Sequence, residues 1–348
     1  MRSSPEPSST PRVYRGAVIG LGGIARLGHL PAFRFDPAAR ARFEIVGIVD
    51  SAPAPALAVD GIPLLSDPDQ LAKLGPIDFV DICTPTASHL PLSLWALSQG
   101  YHVLCEKPVA LTRAEAATLA AAARRAGRVV MPCHQYRYNP AWRRVKQWLD
   151  EGLIGRWHLA EFHVYRLMAD QGADTRAVPW RGRRADGRGG VLLDHGTHLV
   201  YELLDVAGPP SAVRAWTGRL QHGDYDVEDT AQLLFEYPNR LAVMFLTWAA
   251  RTRETEIRFI GDRGSISWSG GTLTLEVGGQ VESFDYSAEL DKASYASWFA
   301  GLFGEFARAL DSGDGARHLD DIAQVAAVLE SAYDQSGQGD PIARLQLA

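Results

Sequence analysis

Short apolar runs alternate with helical periodicity along the first part of the chain. The stretches between the runs include clear helical patterns at 90–98 and 112–126. The second pattern begins with Thr112 and Glu115, which have capping-box spacing, and ends at Gly127, a helix stop signal. The five apolar runs occupy residues 17–19, 45–49, 79–83, 102–105 and 129–131. This alternation predicts an α/β domain with a doubly wound parallel sheet over residues 13–138.

A different pattern follows Pro140. The predicted elements are, in chain order, a helix at 141–151, a strand at 159–167, a polar loop at 169–190, a helix at 191–206, strands at 213–217, 230–236, 241–248, 256–260, 265–268 and 273–277, and helices at 299–310 and 322–333. Pro238-Asn239 predicts a tight hairpin between two of these strands. Mainly antiparallel strands after an α/β half predict an α+β domain over residues 139–348. We expect its last two helices to pack on either domain.

Composition narrows the classes of partner. With 348 residues the chain is long enough for two domains, and a net charge of −6 gives no electrostatic footprint for nucleic acid or an anionic membrane. Residues 1–12 are rich in Ser and Pro and are expected to form a disordered tail, neither signal peptide nor anchor. Cys83, Cys105 and Cys133 show no CxxC spacing, so they are interpreted as reduced, buried residues of a cytoplasmic protein. A small-molecule partner is expected.

A glycine-rich segment directly follows the first apolar run. Gly20-Leu21-Gly22-Gly23-Ile24-Ala25 matches G-x-G-x-x-A at the start of a helix. In this pattern the first glycine allows a tight turn, the second lets backbone approach a pyrophosphate, and the small last residue permits close packing of helix and strand. The position of the motif predicts a Rossmann domain that binds a dinucleotide on helix N-terminal amides.

Asp50 ends the second apolar run and is the candidate ligand of the adenosine ribose. Its carboxylate would accept both ribose hydroxyls and repel a 2′-phosphate, and residues 51–60 contain no Arg or Lys to neutralise that phosphate. We therefore expect NAD to be preferred over NADP. The alternative interpretation is a turn residue.

Two further strand ends carry candidate cofactor residues. Thr84 and Pro85 are expected to line the nicotinamide ribose, while His89 is either a cofactor contact or a helix-start histidine. The run 102–105 ends in Glu106-Lys107-Pro108, and a lysine at the carboxyl end of a parallel strand can point into a ligand site. The alternative for Lys107 is a surface ion pair with Glu106.

The densest polar cluster of the second half contains Asp194, His195 and His198. Asp194 and His198 are four residues apart, so on a helix they would share one face while His195 points elsewhere. A carboxylate beside an imidazole orients the ring and favours its protonated form, as general acid/base chemistry requires. The alternatives are an aspartate satisfied by backbone amides and a metal site on the two histidines. Since no H-E-x-x-H or cysteine partner is present, no metal is expected.

Taken together, these motifs resemble the Gfo/Idh/MocA family, named for glucose-fructose oxidoreductase and inositol 2-dehydrogenase. The resemblance rests on the glycine segment 20–25, Glu106-Lys107-Pro108, His134-Gln135-Tyr136-Arg137-Tyr138-Asn139-Pro140 and Asp194-x-Gly196-x-His198, in that order over about residues 14–340. It implies a Rossmann domain followed by an α+β domain with a large open sheet used for oligomer contacts. A homodimer or homotetramer is therefore expected.

The resemblance also implies roles for single residues. Lys107 would hydrogen-bond the hydroxyl being oxidised, His198 would take its proton as hydride leaves for C4 of nicotinamide, and Asp194 would hold His198. Candidate substrate contacts are Arg137, Tyr138, Trp180 and Arg181, with surface salt bridges as the alternative for the arginines. Many members have Asp where this chain has Tyr201, which is expected to replace a hydrogen bond or fill apolar space.

The function expected from this resemblance is NAD-dependent dehydrogenation or reduction of a sugar, inositol or related polyol. One alternative is glycoside cleavage with a bound, recycled NAD, as in some relatives. A second alternative is a non-enzymatic NAD sensor, which would need no acid/base set such as Lys107, Asp194 and His198.

Overall fold

Two β-sheets organise the chain in the computed structural model, which describes residues 11–52, 59, 61–170, 176–291 and 294–336. Most of the predicted disordered tail therefore lies outside the described residues, as does most of the segment 51–60. No helix in the described residues has both the length and the apolar character needed to cross a bilayer.

The first sheet has six parallel strands in the order β3-β2-β1-β4-β5-β6. Its elements are β1 Tyr14–Ile19, α1 Leu30–Phe35, α2 Pro37–Arg40, β2 Phe43–Val49, β3 Leu64–Leu65, β4 Phe79–Ile82, α3 His89–Ser98, β5 His102–Cys105, α4 Arg113–Ala126 and β6 Val130–Pro132. The predicted doubly wound sheet is confirmed, with β3 as an additional strand. The strand order reverses between β1 and β4, which is where ligands bind in such sheets.

The second sheet has eight strands in the order β14-β13-β12-β11-β7-β10-β9-β8. Its half of the chain contains α5 Pro140–Asp150, β7 Trp157–Tyr165, α6 Arg184–Gly187, α7 Thr197–Ala207, β8 Ala212–Gly218, β9 Thr230–Tyr237, β10 Arg240–Thr247, β11 Glu254–Gly261, β12 Gly264–Ser269, β13 Thr272–Val277, β14 Gln280–Asp285, α8 Tyr295–Ser312 and α9 Ala316–Ser336. Only β7 and β10 pair in parallel, so the large, mainly antiparallel sheet is confirmed.

Short helical turns join several of these elements. There are π-helical turns at Ala25–His29 and Leu192–Gly196, and 3-10 turns at Pro68–Leu74, Thr86–Ser88, Gln135–Tyr138, Trp180–Gly182 and Ser287–Leu290. Residues of the candidate site described below lie in the turns Ala25–His29, Gln135–Tyr138, Trp180–Gly182 and Leu192–Gly196. Turns of the π type are frequent at functional sites because the extra residue redirects side chains.

Local signals placed the element ends as predicted. The Thr112 hydroxyl accepts the backbone N–H of Glu115 at 3.1 Å, and the Glu115 carboxylate accepts that of Leu111 at 2.8 Å. Gly127 ends α4 with φ 61°, a left-handed conformation that suits glycine. Pro238-Asn239 forms the two-residue turn between β9 and β10, as expected.

Of the last two helices, α8 packs against the first sheet and α9 packs against both sheets. Phe299, Phe303 and Phe306 of α8 join Phe33 and Phe79 in an aromatic cluster on the first sheet. From α9, Ile322 and Ala326 pack in the core of the first sheet, whereas Val328 and Leu329 pack in that of the second. Each fully buried Phe or Leu side chain contributes about 2 kcal/mol through burial of apolar surface. These helices therefore hold the two sheets together around the crevice between them.

Candidate active site

The glycine loop after β1 forms an open cradle for a ligand. Gly20 has φ 95°, and a Cβ there would lie 2.9 Å from the carbonyl carbon of Cys83, so only glycine fits this turn. A Cβ at Gly22 would meet no atom within 4 Å. The helical conformation begins at Gly23 and continues through Ile24 into the π-turn that starts at Ala25. The loop therefore leaves free space in front of helix N-terminal amides, which fits a pyrophosphate.

Asp50 braces this loop from the end of β2. Its Oδ2 accepts the backbone N–H of Leu21 at 2.8 Å, and its Oδ1 accepts that of Ala52 at 2.9 Å. Each carboxylate oxygen retains a further lone pair for a hydroxyl donor. Asp50 therefore lies next to the glycine loop, where a residue that binds the adenosine ribose is expected.

The turn after β4 is held together by buried hydrogen bonds. The His89 ring nitrogens face two carbonyl oxygens, those of Pro108 at 2.9 Å and Thr84 at 2.8 Å. Thr84 Oγ1 also accepts the Ser88 hydroxyl at 2.7 Å. His89 thus connects the turn that carries Thr84 and Pro85 to the turn that carries Lys107, and both of its nitrogens are engaged by backbone.

Lys107 leaves the end of β5 and contacts the second half of the chain. Its Nζ donates to the backbone carbonyl oxygen of Asp194 at 2.6 Å and lies 3.4 Å from Asp194 Oδ1. The two side chains are only 10% and 13% exposed, so this ion pair is largely shielded from water. The surface ion pair considered for Lys107 with Glu106 is not what the structure shows.

The Asp194 carboxylate also contacts a second cation, Arg181, and lies close to His195. Arg181 Nε donates to Asp194 Oδ1 at 3.1 Å, and His195 Nδ1 lies 3.4 Å from Oδ2. Burial raises the pKa of the Asp194 carboxyl, but the charges of Arg181 and Lys107 oppose burial, and that pKa lies well below its usual value. Burial lowers the pKa of His195 to about 4, with Asp194 opposing and nearby cations adding to the decrease. The site therefore contains an ionised aspartate and a neutral His195.

His198 is held by Tyr201 rather than by Asp194. His198 Nδ1 lies 2.8 Å from the Tyr201 hydroxyl, which also accepts the backbone N–H of Tyr136 at 3.1 Å. Among the described residues Asp194 makes no hydrogen bond to His198, which corrects the expected pairing. The reason is the π-turn Leu192–Gly196, whose extra residue removes the shared face that an α-helix would give.

The His198 ring is neutral, is buried in the protein interior and stacks on one neighbouring aromatic ring. Its plane stacks on Tyr136, with ring centroids 4.0 Å apart and an angle of 15°. Burial, reinforced by the positive charge of Lys107, lowers the pKa of His198 well below its usual value. A neutral imidazole next to an ammonium group can accept a proton at one nitrogen while the other is held.

The four predicted substrate contacts divide into two pairs. Arg181 reaches Asp194, and its guanidinium lies over the Trp180 ring at 4.3 Å, so both are at the site. Arg137 instead binds Asp321 of α9 through two bonds of 2.6 and 3.2 Å.

Tyr138 also turns away from Asp194. A Cβ at Gly301 of α8 would lie 2.7 Å from the Tyr138 ring, which shows how closely the two pack. In the 3-10 turn Gln135–Tyr138 the Tyr136 ring stacks on His198, whereas Arg137 also donates to the Tyr201 carbonyl oxygen at 3.4 Å. Substrate contacts by Arg137 and Tyr138 stay predictions.

Several residues of the site were not identified from sequence. Tyr136 belongs to the motif at 134–140 on which the family resemblance rests, but no role was predicted for it. His195 was expected to point away from the face shared by Asp194 and His198. Trp248, which follows β10, donates its indole N–H to His195 Nδ1 at 3.2 Å. Nothing in the sequence pattern around Trp248 distinguishes it from a core tryptophan.

A buried histidine links the glycine loop to the lysine turn, and it too was missed. His29 Nδ1 lies 2.7 Å from Asp81 Oδ2, and its Nε2 lies 2.9 Å from Glu106 Oε1. Asp81 interrupts an otherwise apolar parallel strand, and a charge at such a position signals a buried partner. That signal identifies Asp81 but gives no information about which residue pairs with it.

The surroundings of His29 include two thiols. Its ring with Asp81 and Cys83, and with Glu106 and Cys133, brings possible metal-ligand atoms within 4.8 Å of one another. Burial raises the pKa of Cys83 to about 12 and raises that of Cys133 well above its usual value. Both ring nitrogens of His29 already lie at hydrogen-bond distance from carboxylate oxygens, which favours a hydrogen-bonded histidine over a metal centre.

Comparison with known proteins gives the family. Residues 14–134 match the model described as "Oxidoreductase family, NAD-binding Rossmann fold", and residues 142–267 match the GFO/IDH/MocA C-terminal domain. The chain therefore belongs to the Gfo/Idh/MocA oxidoreductase family and is an enzyme of that class.

Individual relatives agree with this assignment. A D-glucoside 3-dehydrogenase of Escherichia coli is 26% identical over 72% of this chain and 75% of its own length. A D-apiose dehydrogenase of Paraburkholderia graminis is 34% identical over 70% of this chain and 63% of its own. The crystal structure of an oxidoreductase from Agrobacterium radiobacter in complex with NAD+, L-tartaric acid and magnesium superposes with a TM-score of 0.81. It is 22% identical and aligns over 94% of this chain and 97% of that one, which shows the shared fold.

Proposed function

We propose that this enzyme transfers hydride between a hydroxyl group of a sugar or related polyol and NAD. The observation that supports this most strongly is the contact of Lys107 Nζ with the Asp194 carbonyl oxygen at 2.6 Å, beside a neutral His198. A cation, an anion and a neutral imidazole in one crevice supply the groups that hydroxyl oxidation requires.

The cofactor is assigned to the cradle formed by Gly20, Gly22 and Asp50. The open space at Gly22 fits the pyrophosphate, and the Asp50 carboxylate fits the ribose hydroxyls. NAD supplies a hydride acceptor at C4 of its nicotinamide ring. We propose NAD over NADP because the Asp50 carboxylate would repel a 2′-phosphate. Its oxygens accept the backbone N–H groups of Leu21 and Ala52, which hold the carboxylate in this position.

The protein residues hold the substrate and move its proton. Lys107 would donate a hydrogen bond to the reacting hydroxyl, and Asp194 would keep the ammonium group in place through its carbonyl and carboxylate oxygens. His198 would accept the hydroxyl proton at Nε2 while its Nδ1–H donates to the Tyr201 oxygen. Because His198 is neutral, its Nε2 lone pair is available at neutral pH.

Substrate class rests on Arg181 and Trp180 together with the relatives. A guanidinium over an indole offers donors to hydroxyl oxygens beside a flat face, an arrangement that suits a polyhydroxylated ring. The relatives described above are named as dehydrogenases of a glucoside and of apiose, both carbohydrates. We therefore propose a sugar or polyol as the substrate.

The proposal is tested by incubating the purified protein with a panel of sugars, glycosides and polyols. Each compound is supplied with NAD or with NADP, and formation of the reduced cofactor is followed at its nicotinamide absorbance. We expect NADH from at least one carbohydrate and a much smaller rate with NADP. Release of an aglycone without net NADH would contradict the proposal, as would a panel with no turnover in either direction.

A further inference from the structure

The buried bridge at His29 lies directly below the lysine turn. His29 and Asp81 have no solvent exposure, and Glu106 is only 6% exposed. The bridge joins three elements that are distant in sequence, the π-turn Ala25–His29, β4 and the end of β5. It therefore connects the loop that cradles the pyrophosphate with the turn that presents Lys107.

Glu106 uses its two oxygens for two different donors. Oε1 faces His29 Nε2 at 2.9 Å, whereas Oε2 accepts the backbone N–H of Lys107 at 3.2 Å. Since the second of these bonds fixes the peptide of Lys107, the orientation of the carboxylate determines how that residue leaves the strand. A rotation of the Glu106 carboxylate would alter both bonds together.

The chemistry of the bridge requires donors at both nitrogens of His29. Its neighbours are two carboxylates, which accept hydrogen bonds when ionised. Burial lowers the pKa of His29, but the charge and hydrogen bond of Asp81, together with the neighbouring Cys83, outweigh burial and raise that pKa well above its usual value. Burial raises the pKa of Glu106, but the hydrogen bond and charge of His29, together with Lys107 and His89, outweigh burial and lower that pKa. A proton at each ring nitrogen would let His29 donate to both carboxylates.

Packing holds the ring in this plane. The Phe299 ring of α8 lies 4.0 Å from the His29 ring, centroid to centroid. A Cβ at Gly28 would lie 2.4 Å from the Phe299 ring, so glycine at that position is what lets the phenyl group approach. The ring of His29 is thus confined by α8 on one side and by hydrogen bonds at both edges.

We propose that His29 is a positioning residue, which fixes the Glu106 carboxylate and through it the backbone from which Lys107 reaches Asp194. This inference rests on the proposed function for its catalytic consequence. The bridge itself does not depend on which substrate is used. His29 touches neither Lys107 nor Asp194 and acts only through Glu106.

Two isosteric substitutions separate positioning from stability. In His29→Gln the side-chain amide nitrogen occupies the place of Nε2 and can still donate to Glu106, whereas in His29→Asn it occupies the place of Nδ1 and can donate only to Asp81. Both variants lose the ring and its charge. We expect His29→Gln to keep kcat within about threefold of wild type and His29→Asn to lower kcat about tenfold or more.

Three further measurements complete the test. The dissociation constant of NADH should change less than about threefold in both variants, since the glycine loop is intact. The control His102→Asn, at the opposite end of β5, should turn over like wild type, because the new amide oxygen can accept the Val129 N–H as His102 does at 2.9 Å. In wild type, ¹⁵N NMR of labelled histidine should show the His29 ring, assigned by the loss of its signals in His29→Gln, with both nitrogens protonated at a pH where exposed histidines are neutral.

Equal kcat in His29→Gln and His29→Asn would overturn the positioning role, and so would a His29 ring without a proton at Nε2 in the NMR spectrum. The NMR measurement needs no substrate. A protein that oxidises no carbohydrate but shows the proton at His29 Nε2 would therefore refute the proposed function and leave the bridge standing, whereas active protein in which His29 Nε2 has no proton would do the reverse.

Discussion

Lys107 Nζ lies 2.6 Å from the backbone carbonyl oxygen of Asp194 and 3.4 Å from its carboxylate, although the two residues belong to opposite halves of the chain. This contact closes the crevice between the sheets at the carboxyl ends of the parallel strands. It brings an ammonium group supplied by β5 to a carboxylate supplied by the π-turn before α7. The proposed chemistry depends on this junction.

Replacing Arg181 should shift the acid limb of the pH profile. Arg181 is the strongest of the groups that hold the pKa of Asp194 below its usual value, so Arg181→Gln should raise that pKa. Activity that needs ionised Asp194 would then be lost at a higher pH than in wild type. The profile of kcat/KM against pH measures this shift.

The matched control for Arg181→Gln is Arg214→Gln, which removes an exposed guanidinium bound to Glu236 on the second sheet. Its pH profile should superpose on that of wild type. An Arg181→Gln profile with an unmoved acid limb would show that Asp194 does not titrate in the essential step.

Removing the Tyr201 hydroxyl should slow turnover without weakening cofactor binding. Tyr201→Phe leaves His198 Nδ1 and the backbone N–H of Tyr136 without their partner. Loss of one such hydrogen bond costs about 1.4 kcal/mol, which corresponds to a roughly tenfold lower kcat if it is used in the rate-limiting step. Steady-state kinetics and NADH titration provide the two quantities.

Tyr237→Phe serves as the control for that experiment. Tyr237 lies on β9, remote from His198, and its hydroxyl donates to the Gly208 carbonyl oxygen at 3.2 Å. We expect its kcat to equal that of wild type. If Tyr201→Phe were equally unaffected, the hydroxyl would have no part in orienting His198.

Cofactor preference should depend on Asp50. Asp50→Ala removes the carboxylate expected to repel a 2′-phosphate, so the ratio of kcat/KM for NAD to that for NADP should fall about tenfold or more. The same substitution removes the bond of 2.8 Å to Leu21 N–H and should weaken binding of both cofactors.

Asp50→Asn provides a finer control, because its amide oxygen retains one backbone bond while the charge is lost. It should also lower the preference for NAD. Wild-type protein that uses NADP as well as NAD would refute the role assigned to the carboxylate.

Glu202 should make folding stability fall as pH rises. Its side chain is 1% exposed, and burial raises its pKa well above 4.5, the usual value, despite Arg137 nearby. A raised pKa in the folded state means that stability is fully present below the unfolded pKa and is lost as pH increases beyond it. Glu202→Gln cannot ionise, so its melting temperature should exceed that of wild type by more at pH 8 than at pH 5.

Glu44→Gln is the control, because the side chain of Glu44 is 61% exposed. This substitution should change the melting temperature equally at both pH values. If the difference in melting temperature between Glu202→Gln and wild type does not grow between pH 5 and pH 8, Glu202 is ionised in the folded protein.

Most of the fold could be predicted because its elements carry strong local signals. The apolar parallel strands, the capping box of α4 and the Pro238-Asn239 turn are each specified by neighbouring residues. The two missed strands lack such signals. β3 has two residues, and β14 is exposed along nearly its whole length, so no alternation of buried and exposed positions marks it.

The site could be predicted only in part, since its details depend on tertiary packing. The spacing of Asp194 and His198 predicts a shared helical face, but the π-turn between them depends on contacts such as that of Gly196 with Leu246, where a Cβ would lie 2.8 Å from the leucine. The bridge from His29 to Glu106 joins residues 77 positions apart, and no local pattern encodes that pairing.

The most direct test of the proposed chemistry is the kcat of Lys107→Met compared with its dissociation constant for NADH. Methionine keeps the apolar stem of lysine and removes the ammonium group that contacts Asp194. We predict that kcat falls by a factor on the order of a hundred or more, while the dissociation constant changes less than about threefold. Turnover of Lys107→Met at the wild-type rate would contradict the assignment of Lys107 to the reaction.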